Sequence, residues 1–160
     1  MRVAVVETVL LAGGALVVVV LLLQPRNPGP RTRGVRRASW TLTPGGVNPA
    51  VTQATLRSTV CRKGWTRTVR PPTSYTNALK LRQMRARGLR GPPSAYQEDH
   101  LISLELGGNP TDTRNLWPEP YPRAAEVDRV ENELNARLCA RELTLDQAQR
   151  MESALKHRDG

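Results

Sequence analysis

The chain reads as an α+β protein, and three observations predict this. An apolar set at period two, Ile102, Leu104 and Leu106, is closed by the turn signal Gly107-Gly108-Asn109-Pro110. A second short run, Asn115-Leu116-Trp117, is ended by Pro118 and Pro120, which cannot donate to a ladder. Beyond it, between Arg123 and Cys139, Val127, Val130, Leu134 and Leu138 recur at helical spacing. The expected order is strand, loop, strand, helix, with the first strand starting at the Asp99-His100 pair.

The flanking elements are simpler. Trp40 to Pro72 mixes Pro/Gly turns with β-prone pieces, Ser58-Thr59-Val60 and Thr66-Arg67-Thr68-Val69. Residues 74–87 can form a short basic helix with Leu79 and Met84 inward and Lys80, Arg82, Arg85 and Arg87 presented to solvent. Thr144, followed three residues later by Gln147, is a capping box for a last helix holding Leu145, Ala148, Met151 and Leu155. There is no internal repeat. Residues 24–39, rich in Pro, Arg and Gly, read as a disordered linker, which leaves 40–160 as the folded domain.

Val3 to Leu23 is interrupted only by Glu7, giving 21 residues against the roughly 20 that span a bilayer. A signal peptide has a shorter apolar core ending in small residues, and Leu21-Leu22-Leu23-Gln24-Pro25 supplies none nearby. Residues 1–23 are therefore expected to be a transmembrane anchor, with a cleaved signal and a secreted domain as the alternative. Five arginines follow the segment by Arg37, so the positive-inside rule would leave the domain in the cytoplasm. The cysteines argue the other way. Cys61 and Cys139 have no metal-site spacing with His100 and His157, and an extracytoplasmic disulfide is the economical reading. Two unpaired thiols in a cytoplasmic protein are the alternative. A bond would place their Cα atoms about 4.4 to 6.8 Å apart.

Charge is unevenly placed. The net charge is +10, and between Glu7 and Glu98 there is no acidic residue while 15 of the 24 Lys and Arg fall there. A basic half beside an acidic, metal-capable half suits a polyanion substrate such as DNA or RNA. The cluster Arg31, Arg33, Arg36 and Arg37 would serve attraction to a membrane surface equally well.

The chemistry concentrates in residues 98–119. Asp99 can hold a divalent cation, His100 titrates near neutrality and can take a proton from water, and Asn115 can cross-brace the loop between them. Taken singly, each residue has a plainer reading, a solvated or packed histidine above all. Trp117 reads as core rather than as a base-stacking platform.

Taken together, Glu98-Asp99-His100, Leu104-Glu105-Leu106-Gly107-Gly108 and Arg114-Asn115-Leu116-Trp117-Pro118-Glu119-Pro120 resemble the HNH (His-Me finger, ββα-metal) nucleases. The likeness is closest to small secreted or envelope-associated bacterial proteins of that type. It extends through Thr43-Pro44-Gly45-Gly46-Val47, Cys61, Arg70-Pro71-Pro72, Asp128, Glu131-Asn132 and Cys139, covering most of residues 41–150. The resemblance implies a ββα-metal hairpin and helix, and a metal-dependent endonuclease cutting DNA, or RNA. In it His100 is the general base, Asp99 a metal ligand and Asn115 an orienting residue. The family's helix ligand is usually His or Asn, but no His lies between His100 and His157. Asp128 and then Glu131, on the flank of the apolar stripe, are expected to complete the site. Mg or Mn is the expected ion, with Zn or Ni as alternatives. Arg114 either clamps a phosphate or is one exposed arginine among many.

The group often has a proline where Ser103 stands and a Lys where Val127 stands. These departures leave an inactive copy open: an envelope protein that binds nucleic acid or anionic lipid through its basic half. A third reading is a toxin, with an immunity protein as its partner.

Overall fold

A two-stranded antiparallel sheet lies at the centre of the computed structural model, which describes residues 37–158. The expected anchor, and the linker up to Arg36, lie outside the described residues. Strand β1 is Tyr96–His100 and β2 is Leu116–Pro120, with Tyr96 opposite Pro120, Asp99 opposite Trp117 and His100 opposite Leu116. Both strands are edges, which is why β2 tolerates Pro118 and Pro120. Helix α1 is Trp65–Val69, α2 is Thr73–Ala86, α3 is Arg123–Cys139 and α4 is Leu145–Arg158. Helices α2 and α3 both pack against the hairpin. The described part is α+β, as the sequence predicts, and α3 has the expected bounds.

The first strand ends at the Asp99-His100 pair instead of beginning there. Leu104–Leu106 forms a single 3-10 turn, and Leu104 and Leu106 in it are buried like Leu101 and Ile102 before it, so the apparent period of two marks no exposed face. Asn115 explains the break. Its side chain takes both polar groups of Ile102, accepting from the N–H at 2.9 Å and donating to the carbonyl at 3.0 Å, so these groups pair with an amide rather than a strand.

The β-prone pieces are also not strands. Leu56–Ser58 is a 3-10 turn, after which the Thr59 hydroxyl bonds back to the Thr55 carbonyl, and Thr66 to Val69 lies in α1, where the Thr68 hydroxyl bonds back to the Trp65 carbonyl. In α2, Leu79 and Met84 are buried as expected, and Arg82 and Arg85 are exposed. Lys80 and Arg87 are half-buried instead: Lys80 donates to the Tyr96 carbonyl at 3.0 Å and Arg87 to the Thr43 hydroxyl at 3.0 Å.

In α4 the capping box forms, with Thr144 N–H donating to Gln147 at 2.8 Å and Gln147 N–H to Thr144 at 3.2 Å. Its inner face departs from the apolar pattern. Met151 is 45% exposed, whereas Glu152, Lys156 and His157 are buried beside Leu145 and Ala148.

Cys61 and Cys139 form a disulfide with Cα atoms 5.6 Å apart, tying the segment before α1 to the end of α3. It borders the main core of Val51, Leu56, Val60, Trp65, Ile102, Leu106, Leu134, Leu138, Leu145 and Ala148. Trp117 is core, 1% exposed and packed with Leu101 and Ala38, so the folded chain reaches back to Ala38. Among the described residues no helix is long and apolar enough to cross a membrane.

Candidate metal centre

One side chain makes four hydrogen bonds across the base of the loop joining the strands, residues 101–115. Asn115 is fully buried; besides the two Ile102 bonds it accepts from Gly46 N–H at 3.2 Å and donates to the Asn109 carbonyl at 3.0 Å. The Gly107-Gly108 pair is required by this packing. Gly107 has φ +80°, and a Cβ on Gly108 would stand 1.7 Å from the Ile102 carbonyl oxygen. Asn115 thus cross-braces the loop, and its backbone carbonyl accepts from Leu101 N–H at 2.8 Å, next to His100.

His100 closes β1 with its ring 3.1 Å, through Nε2, from the Pro110 carbonyl. A carbonyl only accepts, so Nε2 carries the proton and Nδ1 is left as the basic nitrogen. Burial lowers the His100 pKa from its ordinary value, outweighing the neighbouring Asp99 carboxylate, which raises it. At neutral pH the imidazole is uncharged and able to accept a proton.

Alternation along β1 sends Glu98 and Asp99 to opposite faces. Glu98 turns toward α2: burial pushes it up to about 8, against the opposing pull of Arg87 and Lys80. Asp99 turns toward α3, where Asp99, Asp128 and Glu131 each offer a carboxylate oxygen, all within 4.8 Å of one another. Gln97 reaches Asp99 Oδ1 and Asp128 Oδ1, each at 3.4 Å, and is steadied by the Tyr121 hydroxyl at 2.8 Å. The structure therefore brings Asp99, Asp128 and Glu131 together, while His100, next to Asp99 in the chain, feels the Asp99 charge and Asn115 braces the loop that follows it. Arg114 stays outside it, 70% exposed and gripping Asp112 through Nη2 at 2.7 Å and Nε at 3.1 Å. Arg70, an exposed residue following α1, exerts its charge on both His100 and Glu105.

Sequence reasoning missed the residue at the hub. Lys156 of α4 is fully enclosed, and its ammonium donates to Glu131 Oε1 at 2.6 Å, Asp99 Oδ2 at 2.7 Å and the His100 carbonyl at 2.5 Å. Glu152, one turn earlier and also enclosed, lies 3.2 Å from it and accepts the Ser103 N–H on both oxygens, at 3.0 and 2.9 Å. The Glu152/Lys156 spacing was a visible signal, since such a pair reads as a surface salt bridge unless its face is inward.

Burial would drive the Lys156 pKa down, but Asp99, Glu152, Glu131 and Glu119 together hold it well above its ordinary value. Burial would raise Asp99, yet Lys156 and a hydrogen bond from Glu119 keep it below the usual carboxylate range. No N–H or O–H of the described residues reaches either oxygen of the fully buried Glu119. Burial first, then the Asp99 charge, pushes Glu119 up to about 9, which favours its neutral acid form at neutral pH. Glu131 and Glu152 are raised too, by burial foremost. Three carboxyl groups, of Asp99, Glu131 and Glu152, lie within ion-pair distance of a single ammonium, and the charge of Glu119 acts on it from further off. The donors that Asp99, Asp128 and Glu131 offer are all oxygen, and they fit a hard divalent cation such as Mg or Mn better than Zn or Ni.

Comparison of the chain with protein-family models, curated proteins and solved structures gave no match. The functional reading therefore stands on the residues and their geometry.

Proposed function

We propose that the domain is a metal-dependent endonuclease hydrolysing phosphodiester bonds in DNA, or in RNA, at the end of β1. The observation that carries the reading is two complementary features at the end of β1: an uncharged His100 whose Nδ1 is left to accept a proton, and the Asp99 carboxylate, from the residue before it in the chain, gathered with Asp128 and Glu131. Asp99, Asp128 and Glu131 would hold the divalent ion, which when bound supplies charge neutralisation at the scissile phosphate and the leaving oxygen. His100 Nδ1 takes a proton from water as the water oxygen bonds to phosphorus and the bond to the leaving oxygen breaks. Asp99, adjacent on the strand, stabilises the imidazolium so formed. Asn115 keeps the loop, and with it the Pro110 carbonyl that fixes the His100 tautomer, in place.

The basic half supports a polyanion substrate. Among the described residues, no Lys or Arg before Glu98 lies within ion-pair distance of a carboxylate; Arg57, Arg62, Lys63, Arg67, Arg82, Arg85 and Arg90 are exposed and available to phosphates. Arg70, exposed and with its charge felt at His100, would meet a phosphate there.

One observation favours a second reading, in which the protein binds nucleic acid or anionic lipid without cutting: Lys156 already occupies one oxygen of Asp99 and one of Glu131. A plasmid-nicking assay on the full chain separates the two. With Mg²⁺ or Mn²⁺ the wild type is expected to nick, and His100→Ala to lose about 10²- to 10⁴-fold in rate while still binding DNA. Equal nicking by both proteins, or none by either with any divalent ion, removes the catalytic reading.

A further inference from the structure

Lys156 does more than pair with an acid. Its ammonium divides the carboxylate oxygens of the site into two sets. Asp99 Oδ2, Glu131 Oε1 and Glu152 Oε1 face it, at 2.7, 2.6 and 3.2 Å. Asp99 Oδ1 and Asp128 Oδ1 form the outer set, out of the ammonium's reach and linked by the long 3.4 Å contacts of Gln97. The ammonium is wholly enclosed while solvent reaches Asp128, so the inward set belongs to the protein and the outward set to whatever arrives. Glu119, enclosed and without a donor, is a further acid aimed at Asp99 from β2.

We propose that Lys156 is a positioning residue and resident cation: it shares Asp99 and Glu131 with the divalent ion, lets the acidic cluster fold without metal, and keeps the site's own hold on metal weak. The inference rests on the endonuclease reading only in taking Asp99, Asp128 and Glu131 as the metal ligands. Two cations drawing on the same carboxylates repel each other, so each weakens the binding of the other. The ion then binds firmly only when a phosphate adds negative charge on its open side. The site is thus built for a cation that arrives with, or is retained by, an anionic substrate.

The test is Mn²⁺ binding by the full chain, followed by electron paramagnetic resonance, together with thermal unfolding in EDTA and in excess MgCl₂. Lys156→Met removes the resident charge with little change of volume. It is expected to bind Mn²⁺ at least about tenfold more tightly than the wild type, because Coulomb repulsion between neighbouring charges in a partly buried site exceeds that factor even at an effective dielectric of about 20. Its unfolding temperature in EDTA should fall by about 10 °C or more, since its buried acids are left without their counter-ion, and MgCl₂ should restore most of the loss. The wild type should unfold at nearly the same temperature in both. Should Lys156→Met not fold, the double variant Glu152→Gln/Lys156→Met removes the pair at constant net charge and carries the same expectation for Mn²⁺. Equal or weaker Mn²⁺ binding by a folded variant overturns the proposal and leaves the endonuclease reading standing. No Mn²⁺ binding by any of the three proteins overturns both.

Discussion

Replacing Asn115 by Ala removes four hydrogen bonds at once and tests whether this one amide holds the loop. The orphaned groups are Gly46 N–H, Ile102 N–H, Ile102 C=O and Asn109 C=O. Gly46 and Asn109 are half-buried and can turn to water, but Ile102 is only 8% exposed and its two groups are left unpaired inside the protein. At about 1–3 kcal/mol for each buried group left unpaired, the loss is about 2–6 kcal/mol. That is a large share of the roughly 5–15 kcal/mol by which domains are stable. Urea unfolding of the full chain, followed by tryptophan fluorescence, should show a lower midpoint at unchanged slope. Asn115→Asp should fall between the two, since it keeps acceptors for Gly46 and Ile102 but faces two carbonyls with no donor. A loss under about 1 kcal/mol for Asn115→Ala would refute the reasoning, because it would mean that water or a rearranged loop meets the Ile102 groups.

Other outcomes follow from the same geometry. Burial holds the His100 pKa below 6.5, so the base form predominates from there upward and the cleavage rate should decline only as pH falls below that value; an acid limb centred well above it would assign the base to another group. Glu119 has a folded pKa raised to about 9 from 4.5, so the stability tied to its protonated form is full below 4.5 and lost as pH rises through 9; Glu119→Gln should flatten this alkaline loss in thermal unfolding scans, and an unaltered pH profile would show that Glu119 is not protonated in the fold. Arg82→Gln/Arg85→Gln should weaken DNA binding across all sequences and lower the salt-dependence slope by up to about 2, whereas an unchanged slope means that α2 does not face the nucleic acid.

What the sequence made legible was whatever one element decides alone. Helix α3 follows from its own apolar stripe and the α4 cap from Thr144 and Gln147, since both are local matters. Asp99, Asp128 and Glu131 could be gathered because one strand end and one helix flank bring them together, and Asn115 could be read as the brace of the loop between the strands. Where a distant partner decides, reading residue by residue went astray. Period two in Ile102, Leu104 and Leu106 looks like a strand, but Asn115 withdraws Ile102 from any ladder. In α4, Met151 and Leu155 mark an apolar face, yet Met151 is exposed because the acids of β1 and α3 call for the opposite charge and turn Lys156 inward. No property of α4 alone reveals that demand.

The same demand bears on what the site is for. Stability by itself gives little reason to enclose an ammonium with Asp99, Glu119, Glu131 and Glu152, because desolvation cancels much of the attraction and apolar residues of equal volume often serve as well or better. A network of this kind is explained by what it holds in place. Lys156 fixes Asp99 by its side chain and His100 by its carbonyl, two consecutive residues, from a third element. It leaves the His100 ring to be oriented independently, by Pro110. A protein that only bound polyanions would need neither the neutral imidazole nor a cluster of acids that repels phosphate. The acids oppose the binding reading unless a cation intervenes, whereas the exposed arginines of α2 serve both readings equally. Metal dependence is therefore the sharper discriminant: polyanion affinity that rises with Mn²⁺ in the wild type, and loses that rise when Asp128 is replaced by Asn, would place the cation between these acids and the phosphate.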